Sequence, residues 1–117
     1  MKSKKPYDLE DRTLAFAKSV LTFVRKLPRS IANTEDIKQV VRSSGSIGAN
    51  YIEANESLSK KDFLMRIKIS RKEAKETRYW LSLLELDPAN SLREERDTLH
   101  QESTELMMIL GSILRKS

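Results

Sequence analysis

No proline interrupts the chain between Pro28 and Pro88, and across that span apolar residues recur at steps of three and four. A proline inside a helix removes a backbone donor and clashes with the preceding turn. A long stretch free of it and patterned at the helical period is therefore helix, broken only where the pattern itself breaks. The same period frames both ends. Leu9, Phe16, Val20, Phe23, Val24 and Leu27 mark a helix that Pro28 stops, and Leu92, Leu99, Leu106, Leu110 and Ile113 mark another beyond Pro88.

Capping chemistry locates the joints. Asn33 or Thr34 can accept the free amides of a helix start, with Glu35 and Asp36 where the helix dipole favours negative charge. Ile37, Val40, Val41, Ile47, Tyr51 and Ile52 carry that helix on to about Asn55. Ser59 followed by Asp62 has the form of a capping box, as does Ser91 followed by Glu94. Asp87 to Asn90, DPAN, reads as a turn. Helices are thus predicted over residues 8–27, 34–55, 60–86 and 91–115. Short connectors between helices of similar length make sequential neighbours antiparallel. The expected fold is all-α, an up-down-up-down antiparallel four-helix bundle occupying residues 1–117 as one domain.

Composition narrows the chemistry. The absence of cysteine excludes disulfides, thiolate metal sites and a cysteine nucleophile, and one histidine, His100, cannot build a histidine metal site alone. A di-metal carboxylate site using Glu53, Glu73 and Glu76 would need Glu-x-x-His motifs from two helices, which are absent. There is no GxSxG elbow. With no base, nucleophile or metal ligands to assemble, a non-enzymatic protein without cofactor is expected. MKSKKPYDLEDR leads into no signal-peptide core and no run is long enough to span a membrane, so a cytoplasmic protein is expected.

The third helix carries three patterns at about 100° per residue. Phe63, Ile67, Ser70, Ala74, Thr77, Leu81 and Leu84 alternate by four and three, the spacing of a packed seam. Met65, Ile69, Trp80 and Leu83 fall roughly opposite, beside Glu73 and Glu76, and form a candidate oligomer interface or simply exposed apolar surface. Lys60, Lys61, Lys68, Arg71, Lys72, Lys75 and Arg78 form a basic band. From Lys60 to Arg78, eight basic residues face three acidic ones, so this segment holds the chain's whole net charge of +5. Such a band can neutralise phosphates and release counterions. Its ordinary alternative is a solvated face with i,i+4 pairs such as Lys72 with Glu76. No interleaved stacking aromatics of an RNA-recognition signature are present, so base-specific readout is not expected.

The glycine-serine stretch RSSGSIGANYIEAN fits neither GxxxxGK[ST] nor GxGxxG and follows no strand, which argues against a phosphate loop. On a helix, Arg42, Ser46, Asn50 and Glu53 share one face: either a hydrogen-bonded network between helices or subunits, or a wet surface. Gly45 and Gly48 each cost about 1 kcal/mol relative to alanine in a helix. Close approach of another helix is the expected compensation at both.

RSSGSIGANYIEANESLSKKDF and RIKISRKEAKETRYWLSLL, with YDLEDRTLAFAK and FVRKLP before them, closely resemble the bacterial four-helix-bundle proteins related to the 23S rRNA intervening-sequence proteins. The resemblance spans nearly the whole chain and is most specific in the centre. It implies a small up-down bundle assembling as a ring-shaped homopentamer. Some members of the family are encoded within insertions of ribosomal RNA genes. A related branch, the accessory proteins of diversity-generating retroelements, works with a reverse transcriptase and nucleic acid. Ser46, Ile47 and Asn50 match the family's S-I-x-x-N pattern and Glu53 its following acid. Ala54 stands where many relatives have glycine, so the second helix is expected to run past it. The implied function is a homo-oligomer that binds RNA or DNA through the basic band with little sequence specificity. The alternative is an oligomeric scaffold for a protein partner.

Overall fold

A computed structural model describes residues 8–87 and 91–117. Four helices, and no strand among these residues, follow in order: α1 (Leu9–Val24), α2 (Ile31–Asn55), α3 (Lys60–Leu83) and α4 (Leu92–Lys116). Each packs on its sequence neighbours and α4 returns to α1. Contacts run in opposite directions along each adjacent pair. Gly48 meets Thr13 while Asn55 bonds Glu10, Ser43 meets Thr77 while Asn50 meets Arg66, and Leu81 accepts from Arg96 while Arg78 reaches Met107. The bundle is antiparallel throughout, as expected.

The helix ends show where local signals prevail and where they lose. Asp8 caps α1, its carboxylate accepting from the Asp11 amide at 2.8 Å, and Ser59 caps α3 by accepting from Asp62 N at 3.1 Å. α1, however, stops at Val24 rather than Leu27. A residue preceding proline is driven out of the helical region, and the chain tightens into a turn through Lys26 N to Phe23 O and Leu27 N to Val24 O. Leu27 nevertheless stays buried and serves the core from outside the helix.

α2 begins three residues before the expected start, with Ser30 as the cap: its hydroxyl accepts from Asn33 N at 3.0 Å. Asn33 is instead a buried tie. Its Nδ2 donates to Pro28 O at 3.4 Å, and its Oδ1 accepts from Glu85 N at 3.3 Å. That second bond belongs with the early end of α3. Leu84 turns extended, drops into the core, and brings the Glu85 amide to Asn33. The Ser91 box does not form, since Ser91 is helical and makes no side-chain cap bond. Of the predicted DPAN turn, Pro88, Ala89 and Asn90 lie outside the described residues. α2 runs through buried Ala54 to Asn55, as the missing glycine there implies.

Phe16, Val20, Phe23, Val40, Ile47, Ile67, Leu106 and Leu110 form the centre of the core. The predicted seam of α3 is buried from Ile67 to Leu84, with Phe63 half-buried at its edge. Small hydroxyl residues bring α2 and α3 together. Ser70 Oγ donates to Ile47 O at 2.7 Å, and the Thr77 and Ser43 hydroxyls lie 2.8 Å apart, so these buried polar groups are satisfied across the seam.

The two glycines of α2 differ. A Cβ on Gly48 would stand 2.8 Å from Thr13 Oγ1, so its lack of a side chain is what lets α1 approach. Gly45 is exposed, with nothing within 4 Å of that position, which overturns the expectation that both glycines answer to a neighbouring helix. Three residues before Gly48, Gly45 stands about 60° around α2 from it and clear of the α1 contact. The α1–α4 seam is held at its ends. Arg12 grips Glu102 with Nε and Nη2 at 2.7 and 2.8 Å and Glu105 at 2.9 Å, and Lys26 bonds Glu95 at 3.0 Å. No helix among the described residues is long and apolar enough to cross a membrane.

Candidate functional site

The basic band of α3 divides by position. Lys60 and Lys61 occupy its first turn in solvent, and Lys68 is exposed one turn before the α4 contact. Arg71, Lys72 and Lys75 line a groove of about 480 Å³ against α4, opposite Met107, Met108, Gly111 and Arg115. Lys75 also borders a second hollow of about 250 Å³, shared with Arg78, Tyr79, Ser82 and His100. The two hollows meet at Lys75 along the α3–α4 edge, and no carboxylate is among the residues lining either.

The band's charge is unbalanced. Among the described residues, Lys60, Lys61, Lys68, Arg71, Lys72, Lys75, Arg78 and Arg115 form no ion pair, as is also true of Lys18, Arg25, Arg29, Arg66, Arg93 and Lys116, whereas Arg12, Lys26, Lys38, Arg42 and Arg96 are paired. The ordinary i,i+4 pairing of Lys72 with Glu76 is absent because Glu76 turns to α2, where Arg42 Nη2 donates to it at 3.3 Å. Arg78 bridges the two hollows with a weak partner: Nη1 lies 3.8 Å from Met107 Sδ, and Nε is buried without any acceptor. Arg115 and Arg71 lie over Gly111, their atoms 3.5 and 3.7 Å from where a Cβ would be, which is ordinary contact distance. The His100 imidazole is held below its ordinary pKa by burial first, then by the charges of Arg78 and Arg96. It is neutral at pH 7.

The polar line on α2 resolves into an interhelical network rather than a wet face. Asn50 Nδ2 donates to Ser46 O and Oγ, both at 2.9 Å, and its Oδ1 accepts from Arg66 Nη1 on α3 at 3.1 Å. Arg42 adds an ion pair to the buried Glu73 carboxylate at 3.4 Å, without the geometry of a hydrogen bond. Glu53 does not join. Its side chain is exposed, and only its carbonyl is engaged, by Ser57 Oγ at 3.0 Å.

The candidate apolar stripe on α3 splits. Met65 and Leu83 are exposed, Ile69 is half-buried, and Trp80 packs against the core with Tyr79 edge-on to it, ring centroids 5.2 Å apart at 77°. Sequence reasoning missed Tyr79, Met107, Met108, Gly111 and Arg115. The basic band marked the α3 wall, but which face of α4 opposes it depends on how that helix is rotated in the bundle. The same holds for the Arg12 clasp, whose acids lie ninety and more residues away.

Fold and surface together define a small all-α antiparallel bundle with a polar α2–α3 seam and a row of unpaired cations along its α3–α4 edge. The chain belongs to the 23S rRNA-intervening sequence protein family, whose model matches residues 7–112. It is similar to a crystallised protein of unknown function from the S23 ribosomal protein family of Bacteroides thetaiotaomicron. The two are 33% identical over 92% of this chain and 98% of that one, with a TM-score of 0.77. No curated protein matches the chain.

Proposed function

We propose that this is a non-catalytic, homo-oligomeric bundle protein that binds RNA or DNA electrostatically through the α3 basic band, with little sequence specificity. The observation that carries this is the row of unpaired cations from Lys60 to Lys75, joined by Arg115 across the groove. Cations already neutralised by carboxylates would gain little from phosphates; these are free to release counterions. The family name refers to 23S rRNA, which supports an RNA partner. Assembly into a ring, a pentamer, is supported by the resemblance and by exposed Met65 and Leu83, which are large apolar residues on one line of α3. A cytoplasmic setting accords with such a partner.

The test is nucleic-acid affinity against salt. Binding falls steeply from 50 to 200 mM salt, and Lys68→Glu, Lys72→Glu and Lys75→Glu together abolish it while leaving the oligomer's mass unchanged. Unchanged binding by the triple variant refutes the assignment. Light scattering that gives the mass of a single chain refutes the oligomer. A scaffold for a protein partner is favoured by exposed apolar residues such as Met65, Leu83, Ile31 and Leu58, and it predicts binding that ignores salt.

A further inference from the structure

The shape of the cationic groove specifies more than charge. Arg71, Lys72, Lys75 and Arg115 line it together with the thioethers of half-buried Met107 and exposed Met108. At the other end Tyr79 is 58% exposed and lines the second hollow with Lys75 and Arg78, its ring steeply inclined to that of Trp80. Arg71 and Ser82 are eleven positions apart on α3, roughly 16 Å at the helical rise. That is room for a short run of nucleotides.

A duplex meets a protein with phosphates and sugars, its bases stacked inside, and would touch only the cations of this groove. A single strand can lay its phosphates on the cations and turn its bases onto apolar and aromatic surface, the combination by which strands are bound without sequence readout. Arg78 points the same way. Its Nη1 has only a thioether acceptor at 3.8 Å, so a phosphate in the groove would supply that end of the guanidinium with a charge-assisted acceptor.

We infer that the α3–α4 groove is a track for single-stranded nucleic acid, with phosphates on Arg71, Lys72, Lys75, Arg78 and Arg115 and bases against Tyr79, Met107 and Met108. This rests on the proposed nucleic-acid function and sharpens it to strand form. The absence of an interleaved aromatic signature in the sequence is not an obstacle: one exposed ring, Tyr79, follows the α3 cations on the same helix, and Arg115 with the two methionines comes from α4.

The experiment is fluorescence anisotropy of the full chain with labelled oligonucleotides of equal length and mixed sequence, single-stranded and duplex, as RNA and as DNA. The single strand binds about tenfold more tightly than the duplex, and the tighter of the two sugars identifies the natural strand. Tyr79→Ala lowers single-strand affinity about tenfold and leaves the weaker duplex binding unchanged, while Tyr79→Phe restores the wild-type value, because the ring face is what stacks. Gly111→Leu, which fills the groove without changing charge, also weakens the single strand selectively. Duplex binding equal to or tighter than single-strand binding, or a Tyr79→Ala loss equal for both forms, overturns the inference and leaves electrostatic binding standing. No binding of either form by the wild-type chain overturns both.

Discussion

Gly48 offers a sharp check on how α1 and α2 are held together. Alanine there gains about 1 kcal/mol of helix propensity but must place a Cβ 2.8 Å from Thr13 Oγ1 and 3.1 Å from Thr13 Cβ. The obstacle cannot swing aside. Thr13 is 1% exposed, is branched at the contact, and its hydroxyl lies 2.9 Å from Leu9 O and 3.0 Å from Glu10 O on its own helix. The helices must part by a few tenths of an ångström, and overpacking of this kind costs about 1–3 kcal/mol. At Gly45, where nothing stands within 4 Å, alanine keeps the propensity gain with no cost. The two substitutions are chemically identical, so the propensity term cancels and their difference isolates the contact. Gly48→Ala is therefore less stable than Gly45→Ala by about 1–3 kcal/mol, roughly 4–12 °C of melting temperature for a domain of this size. Thermal and urea unfolding measure it, and Thr13→Ala in the Gly48→Ala background recovers part of the loss. Equal stability of the two alanine variants would refute the claim that the glycine sets the α1–α2 approach.

Arg42→Ala removes the counter-charge of the buried Glu73 and destabilises by about 1–2 kcal/mol in urea, a value discounted because Arg42 is half exposed; adding Glu73→Gln restores most of it. Asn33→Ala strips the Glu85 amide and the Pro28 carbonyl of their partner and costs about 1–2 kcal/mol, with hydrogen exchange at Glu85 accelerated. His100 has a folded-state pKa below its ordinary 6.5, so the unfolded chain takes up the proton first as pH falls. Stability therefore declines below about pH 6.5, and His100→Gln flattens that slope in unfolding curves taken between pH 7.5 and 5.

Most of the fold was legible because it is written locally. Periodicity gave four helices, Ser59 and Asp62 gave a true cap, and the four-three spacing on α3 gave the seam from Ile67 to Leu84. The errors at helix ends have two causes. Leu27 leaves α1 through the local effect of Pro28 after it, whereas Asn33 and Leu84 are drawn away from their local preference by tertiary partners, the Glu85 amide and the core. Gly45 and Gly48 show the same limit within one helix. They sit three residues apart and carry the same propensity cost, yet only the crossing of α1 separates a required glycine from one with room beside it.

The candidate site divides along similar lines. Residue type and order alone determined that α3 concentrates the chain's positive charge and that Arg42, Ser46 and Asn50 share a face. Which cations stay unpaired was decided by tertiary structure, because Glu76 had to choose between Lys72 on its own helix and Arg42 on the next. So was the groove, because a helix rotation places Met107, Met108, Gly111 and Arg115 opposite Arg71. Periodicity fixes which side chains share a face, but only packing fixes what that face meets.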